Sequence, residues 1–473
     1  MTLKPTLRPT RAAHYLHPGG PWDTASLDAV LAENTPGPEA ERVASMAGGL
    51  RARGVKRGDA VAWQLRNVEQ AVLLYRACWR LGAVAVPVHH GMGTGDAAAA
   101  LAQIEPRVVL TEPRDVDGLA GLGPPITATQ SAAKPADLAV ALFTSGSTGA
   151  PKAVLHTQRG LAYKSRLMCE VHRLTPHDAV LMPAPLAHIS GLLNGVLLPG
   201  VAGMRTVLME KWDPEEALQM IADERITFMI GPPTFFVTLM AASGFSPERV
   251  ATMRLISSGG AGVTPAFVDQ AREAFGATVK RTYGSTEAPT VTTSHADDPL
   301  DRARDTDGRP TGEVELRIAD GGELWLRGPE LFVGYADPPQ TGAAHARGGW
   351  FKTGDLATVD DDGWLTVVGR IKDVVIRGGE NISVAEVEGV LEAHPAVRQA
   401  VVVGYPDDVM GERVAAFVVA DGPFGLAITR AWFAEQGVTK FKTPERVVQL
   451  AELPTLAAGK PDRMALRELA RRD

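Results

Sequence analysis

Short apolar stretches alternate with longer amphipathic stretches along most of the chain. Residues 59–63, 82–87 and 138–143 are short and almost entirely apolar, which predicts buried strands. Residues 38–53 and 68–81 follow a helical pattern instead. Alternating strands and helices indicate an α/β fold with a largely parallel sheet.

The same alternation continues to the end of the chain. Further strands are predicted over residues 104–110, 228–233, 254–259, 400–403 and 415–419. Further helices are predicted over residues 160–170, 384–391 and 427–436. The 473 residues exceed the size of one ordinary core, so two or more domains are expected.

Charge and cysteine content narrow the class of protein. The net charge of −7 provides no basic surface for nucleic acid, so we expect no nucleic-acid partner. The only cysteines, Cys78 and Cys169, lie far apart, as is typical of reduced thiols in a cytoplasmic protein. The most apolar stretch, residues 192–209, is interrupted by Asn, Pro, Gly and Arg. We therefore expect no membrane span.

The run from Thr144 to Lys152, Thr-Ser-Gly-Ser-Thr-Gly-Ala-Pro-Lys, is the strongest chemical signal in the chain. It follows the strand predicted over 138–143 and precedes the helix predicted over 160–170, which is the usual setting of a phosphate-binding loop. Glycines allow backbone N–H groups to approach an anion, and hydroxyls and Lys152 add donors and positive charge. The spacing is not that of a Walker A loop. A flexible Ser/Gly linker is the structural alternative.

Four further segments carry residues suited to nucleotide chemistry. Residues 254–262 combine a strand with a Gly-rich bend that permits close approach to a flat ring. The run Tyr-Gly-Ser-Thr-Glu over 283–287 supplies a ring face, hydroxyls and a carboxylate suited to Mg2+. Asp355, predicted on a turn after Gly354, can accept hydrogen bonds from ribose hydroxyls. Lys460 follows a Gly near the end of the sequence.

In this order, the segments resemble the motifs of the adenylate-forming, or AMP-binding, superfamily, which includes acyl-CoA synthetases, aryl-acid ligases, adenylation domains and luciferases. Residues 182–191, 349–355, 368–382 and 453–460 resemble further motifs of that superfamily. The chain departs from it at Val384, where a Pro is usual, and at Thr455 and Leu456.

The resemblance implies a role for each motif residue. The implied catalytic residues are Lys460, Thr286 and Glu287, with Glu287 as the Mg2+ ligand. The implied ATP-binding residues are Thr144, Ser145, Gly146, Ser147, Thr148, Gly149, Lys152, Gly259, Gly260, Ala261, Tyr283, Gly284, Asp355 and Arg370. The implied acyl pocket comprises His188, Gly191, Ile230, Gly231, Gly262 and Val291. Lys372 is the implied hinge, and Gly378 and Gly379 form a loop on the coenzyme A side.

The same resemblance implies the architecture and the reaction. It implies a large N-terminal domain of layered α/β sheets with a β-barrel-like part, over 1–369, and a small mobile α+β domain over 370–473. It implies an acyl-CoA synthetase that uses ATP, Mg2+ and coenzyme A to activate a small carboxylic acid, as a monomer or homodimer. Two alternatives stay open: a stand-alone adenylation enzyme that loads a carrier protein or another nucleophile, and a non-catalytic nucleotide-binding relative.

Overall fold

Two mainly parallel sheets form the body of the N-terminal part. The computed structural model describes residues 3–7, 11–144, 151–377, 380–407, 409–456 and 459–472. The first sheet has the spatial order Val108–Leu110, Ala60–Trp63, Val84–Pro87, Leu138–Thr144 and Lys152–Thr157, in which the last strand is antiparallel. The second has the order Arg309–Pro310, Thr292–Thr293, Thr278–Tyr283, Leu255–Gly259, Phe228–Gly231, Ala179–Met182 and Arg205–Leu208. Thr292–Thr293 pairs antiparallel with both of its neighbours, and the other pairs are parallel.

The remaining two sheets are mostly antiparallel. The third contains Glu315–Ile318, Glu323–Arg327, Trp350–Val359, His345–Ala346 and Leu365–Arg370. The fourth contains Glu380–Ser383, Val374–Arg377, Gly411–Ala420, Val397–Asp407 and Arg446–Gln449. A short turn, Ile371–Asp373, joins the third sheet to the fourth. The predicted α/β fold, with a large N-terminal and a smaller C-terminal domain, is confirmed.

Helices cover the two mainly parallel sheets and pack on the fourth. In the first half they are Ala12–Tyr15, Leu27–Ala32, Gly37–Ala52, Glu69–Leu81, Thr94–Ala102, Pro113–Asp117, Gln158–His172, Ile189–Leu192 and Leu198–Ala202, the last two joined by a π-helical turn, Leu193–Leu197. Further along the chain they are Pro214–Asp223, Pro233–Met240, Pro265–Phe275, Leu300–Asp305, Pro338–Ala344, Val384–Glu392, Leu426–Glu435 and Arg463–Arg472. None of the helices described is long and apolar enough to cross a membrane.

The apolar stretches became strands because they are buried on both faces. All four residues of Ala60–Trp63 and of Val84–Pro87 are buried, as in a parallel sheet covered by helices. The neighbouring helix Glu69–Leu81 ends at Gly82, whose φ of 65° is left-handed and suits glycine. These predictions are confirmed to within a few residues.

The helix predicted over residues 160–170 is confirmed as Gln158–His172, but the sequence did not predict the strand that lies between it and the Gly- and Ser-rich loop. The chain first forms the strand Lys152–Thr157, antiparallel to Leu138–Thr144, and the helix Gln158–His172 follows. Thr144 and Lys152 face each other in this hairpin. Five of the six residues of the added strand are buried, so its sequence lacks the alternating polarity that reveals a half-exposed strand.

One buried amide connects the two mainly parallel sheets. Asn67, which follows the first sheet's strand Ala60–Trp63, donates to the carbonyls of Ala184 at 2.9 Å and Met209 at 3.1 Å. Its carbonyl accepts from the N–H of Leu186 at 2.9 Å. Asn67 therefore fixes the turn that precedes His188 relative to the first sheet.

Candidate active site

The phosphate-side residues that the structure describes surround the hairpin at Thr144 and Lys152. The Lys152 ammonium lies over the Tyr335 ring, 5.4 Å from its centroid. The Tyr335 hydroxyl donates to Oε1 of Glu287 at 2.8 Å. Lys152 and Glu287 are therefore neighbours of the same tyrosine, although they are far apart in sequence. Ser145, Gly146, Ser147, Thr148 and Gly149 lie outside the described residues.

The segment from Tyr283 to Glu287 leaves the end of a central strand of the second sheet. A Cβ on Gly284 would lie 2.3 Å from the Thr290 nitrogen, so this position requires glycine. The buried His156 donates from Nε2 to the Thr286 carbonyl at 2.7 Å. Burial lowers the pKa of His156 to about 4, so the ring is neutral near pH 7. A neutral, buried imidazole thus holds the backbone of the predicted catalytic residues.

Asp355 forms the centre of a second polar group. It is 3% exposed, accepts from the Tyr283 hydroxyl at 2.6 Å, and pairs with Nε of Arg370 at 2.8 Å. The prediction of a turn at Asp355 is wrong: the residue lies within the strand Trp350–Val359, opposite Arg370. Gly354 before it has a φ of 74°, a local irregularity that the sequence suggested as a turn. Burial and the Asp355 charge raise the pKa of Tyr283 well above its usual value, so the hydroxyl stays a donor.

Lys460 enters the cleft between the domains at Gly260. Its Cε lies 3.2 Å from the position that a Cβ on Gly260 would occupy, and Gly260 has a φ of 78°. The preceding Gly459 is held by a hydrogen bond from Thr234 Oγ1 to its carbonyl. Reduced hydration in the cleft and the Arg370 charge lower the pKa of Lys460, whereas Asp355 acts in the opposite direction.

His188 lies in a row of three histidines that sequence reasoning did not identify as a group. Its ring centroid is 5.3 Å from that of His89, which stacks on His90 at 4.5 Å. Burial, followed by the effects of His89, Lys460 and His90, lowers the pKa of His188 to about 4. His89 and His90 follow the carboxyl end of the parallel strand Val84–Pro87, which is the signal that could have identified them.

The other residues predicted for the acyl pocket have different environments. No atom lies within 4 Å of the position that a Cβ on Gly262 would occupy, so Gly262 borders open space. Ile230 is buried, and a Cβ on Gly231 would meet the Phe235 ring. A Cβ on Gly191 would lie 2.1 Å from the Pro185 carbonyl oxygen, so backbone packing explains that glycine. Val291 is fully buried in the hydrophobic core beside the third sheet.

Of the remaining predicted residues, Gly259 ends a strand, Ala261 lies in a bend and Lys372 lies in a short turn. A Cβ on Gly259 would lie 2.2 Å from the Thr282 carbonyl oxygen, which fits close packing of adjacent strands. Ala261 is half-buried in the bend between Gly260 and Gly262. Lys372 lies in the turn Ile371–Asp373, and its side chain is outside the described part. Gly378 and Gly379 also lie outside it.

Comparisons with known proteins find matches to both parts of the chain. A family model described as "AMP-binding enzyme" matches residues 39–336, and one described as "AMP-binding enzyme C-terminal domain" matches residues 386–460. A medium-chain fatty-acid–CoA ligase of Escherichia coli K12 is 32% identical, over 89% of this chain and 83% of that protein. A feruloyl-CoA synthase of an Amycolatopsis species is 33% identical, over 89% and 90%. The ATP-bound structure of MatB from Rhodopseudomonas palustris is 28% identical with a TM-score of 0.80, over 92% and 93%.

Proposed function

The chain belongs to the AMP-binding enzyme family, and we propose that it joins a carboxylic acid to the thiol of coenzyme A through an acyl-adenylate. The observation that carries this proposal is the position of Lys460. A lysine from the C-terminal domain reaches Gly260 of the N-terminal domain, in the same cleft as Arg370 and Asp355. A protein that only bound nucleotide would have no need of this lysine, and two of the relatives named above are acid–thiol ligases.

In the first half-reaction, the substrate carboxylate attacks the α-phosphate of ATP and pyrophosphate leaves. A carboxylate is already ionised near pH 7, so the step needs no general base. Negative charge develops on the α-phosphate oxygens, and donors fixed in advance stabilise it. We assign this role to the ammonium of Lys460 and the hydroxyl of Thr286.

The nucleotide's position would be set by groups that already have partners in the protein. Asp355 would accept from the ribose hydroxyls, using lone pairs beyond those engaged by Tyr283 and Arg370. The Tyr283 ring would lie against adenine. Lys152 and the adjoining loop would hold the β- and γ-phosphates.

Glu287 fits a magnesium site. Mg2+ in phosphate sites commonly uses one or two carboxylates together with substrate phosphates. Tyr335 orients Glu287 through Oε1, and the carboxylate has a second oxygen available to a cation by its chemistry. The ion, when bound with ATP, supplies positive charge that neutralises the phosphates.

In the second half-reaction, a thiolate would attack the acyl carbonyl and AMP would leave. Lys460 in the cleft and the loop at Gly378 and Gly379 belong to the same small domain, so we propose that the domain rotates between the steps. The turn Ile371–Asp373, between the third and fourth sheets, is the candidate pivot. Few residues are needed to absorb such a change.

A carrier-protein thiol or another nucleophile is the alternative acceptor. Relatives named as a medium-chain fatty-acid–CoA ligase and a feruloyl-CoA synthase favour coenzyme A. The alternative of a non-catalytic nucleotide-binding relative is not retained, because the family is one of AMP-forming ligases.

The experiment that tests the function is pyrophosphate release from ATP across about twenty acids of different size and polarity. We expect release with a subset of acids and, on addition of coenzyme A, a product with the mass of the acyl-CoA. If the acyl group is transferred only to a carrier protein or an amine, coenzyme A is not the acceptor, but the proposed adenylation step still holds. No release with any acid would contradict the proposal.

A further inference from the structure

His89 carries a polar atom for which no described residue provides a partner. Its Nδ1 lies 3.0 Å from the N–H of Gly91, and an N–H can only donate, so Nδ1 is the acceptor of the ring. The surroundings keep the ring neutral, because burial and His90 lower the pKa of His89 to about 4. A neutral imidazole that accepts at Nδ1 carries its proton on Nε2.

This Nε2–H group is buried and has no hydrogen-bond partner among the described residues. Buried donors are almost always paired with the protein, with ordered water or with a ligand. Gln64 fixes the backbone here by donating to the carbonyls of His89 and Met92 at 3.1 Å and 3.0 Å. The donor therefore belongs to a fixed part of the structure.

The location of His89 connects it with the acyl group of the proposed reaction. Its ring is 5.3 Å from His188, and His188 is close enough to Lys460 for the ammonium to lower its pKa. Lys460 is assigned above to the α-phosphate that the substrate carboxylate attacks. His188 therefore neighbours both His89 and the lysine assigned to the reacting end.

Resting on the proposed function, we propose that His89 is a specificity-determining residue that donates a hydrogen bond from Nε2 to an uncharged oxygen on the acyl group. The substrate class is then an acid with a keto, hydroxyl, ether or ring oxygen remote from its carboxylate. Purely hydrocarbon acids leave the donor unsatisfied.

The charges around the three histidines favour an uncharged oxygen over a second carboxylate. His89 faces the neutral rings of His90 and His188. Two charged groups act on the pKa of His90. The exposed Arg66 lowers it, and Glu210 raises it. Lys460 is already assigned to the reacting end. A second carboxylate beside His89 would therefore lack a dedicated positive partner, and burying an unpaired charge is unfavourable.

The test compares matched acids with the intact enzyme. Pyrophosphate release is measured for straight-chain acids of six to ten carbons and their oxo and hydroxy analogues, and for cinnamate and its hydroxy and methoxy analogues. We expect the best oxygen-bearing acid to exceed its hydrocarbon partner by about tenfold or more in kcat/KM, the value of one hydrogen bond. Equal kcat/KM values within every pair, or preference for the hydrocarbons, would overturn the proposal.

Two variants locate the effect at Nε2. His89→Phe keeps a planar ring without the donor, and we expect the preference for oxygen to fall to within about twofold while hydrocarbon acids retain their kcat/KM. His89→Gln places an amide N–H near the position of Nε2 and should restore part of the preference. His177→Phe, at an exposed histidine outside the row of three, is the control and should leave the preference unchanged.

The outcomes separate this proposal from the function on which it rests. If acids are activated and His89→Phe lowers kcat/KM equally for both members of each pair, His89 is only structural and the proposal is overturned. If no acid releases pyrophosphate, the proposed function fails, and this inference fails with it. The wild-type comparison decides the question even if His89→Phe does not fold.

Discussion

The two sides of the cleft satisfy their polar groups differently. On the nucleotide side, Asp355 is bound by Tyr283 and Arg370, and Glu287 is bound by Tyr335. On the acyl side, three neutral histidines lie together, and Nε2 of His89 has no partner among the described residues. The proposed nucleotide side is oriented before substrate arrives, whereas the proposed acyl side keeps a donor that no described residue satisfies.

This difference matches what each side must recognise. ATP is the same in every member of the family, so a network that is fixed in advance suits it. The acid differs between relatives whose names specify a medium-chain fatty acid or a feruloyl group. A single unsatisfied donor can discriminate between such acids, because a buried polar group left unpaired is costly.

The largest expected effect follows from Lys460→Ala, because Lys460 lies where the two sides meet. We expect kcat/KM for adenylation to fall by about 100- to 1,000-fold for every acid, by analogy with removal of one oxyanion donor. Pyrophosphate release measures this step, and thioester formation from synthetic acyl-adenylate should be far less affected. Lys440→Ala, at an exposed lysine of the same domain, is the control. Equal losses in both steps would contradict a specific role of Lys460 in adenylation.

Asp355→Ala should damage only the nucleotide side. We expect kcat/KM for ATP to fall by about 100-fold, because mispositioning of a reactant has effects of this size. The ranking of acids should stay that of the wild type. Asp362→Ala, in an exposed hairpin turn, is the matched control. An unchanged ATP affinity together with a lower Tm would mean that Asp355 only stabilises the third sheet.

Lys372→Pro should affect the step that follows adenylation. Proline fixes φ and removes a backbone donor, so it should restrict the turn Ile371–Asp373. We expect adenylation to persist while thioester formation falls by at least about tenfold, or 1.4 kcal/mol in the barrier. Single-turnover assays that start from ATP or from acyl-adenylate separate the two steps. Wild-type rates in both would place the pivot elsewhere or exclude rotation.

Asp178→Asn should lower the stability of the protein without affecting either side of the cleft. Burial would raise the pKa of Asp178, but hydrogen bonds from Arg254 and Thr227 outweigh it and lower the pKa to about 2. A depressed carboxylate pKa contributes stability above the ordinary value near 3.8, and this contribution is lost as the pH falls toward 2. Asp178→Asn should therefore cost about 2 kcal/mol at pH 6 and flatten the fall of Tm between pH 5 and 3.

The measurement for Asp178→Asn is thermal unfolding of both proteins at several pH values, with pyrophosphate release at pH 7 alongside. We expect kcat and the ranking of acids to remain those of the wild type. Parallel curves of Tm against pH for the two proteins would contradict the assigned role of the carboxylate.

The residues proposed for the nucleotide side were easier to identify from the sequence than those proposed for the acyl side. Tyr283, Glu287, Asp355 and Lys460 lie in recognisable runs, because one fixed ligand demands fixed residues in order. The structure adds what a run cannot reveal: Tyr335 reaches Glu287 from 48 positions away.

His89 and Gly191 show why the rest could not be predicted. Two adjacent histidines after a strand form no motif, and their meeting with His188 depends on how two sheets pack. A glycine can mark close approach of a ligand or of the protein's own backbone, and only the structure shows that Pro185 is the neighbour of Gly191. The missed strand Lys152–Thr157 is similar, because its pairing partner lies across the loop.

The pairing of Arg370 with Asp355 has a consequence for how the two half-reactions would share one nucleotide. Arg370 is the last residue of the third sheet, directly before the turn Ile371–Asp373. If the small domain turns there, atoms close to the axis move little and atoms far from it move most. The proposed ribose contacts lie beside the axis, and Lys460 belongs to the domain that would turn. AMP would then stay bound through the exchange of active-site groups, and the adenylate intermediate would not escape into solution.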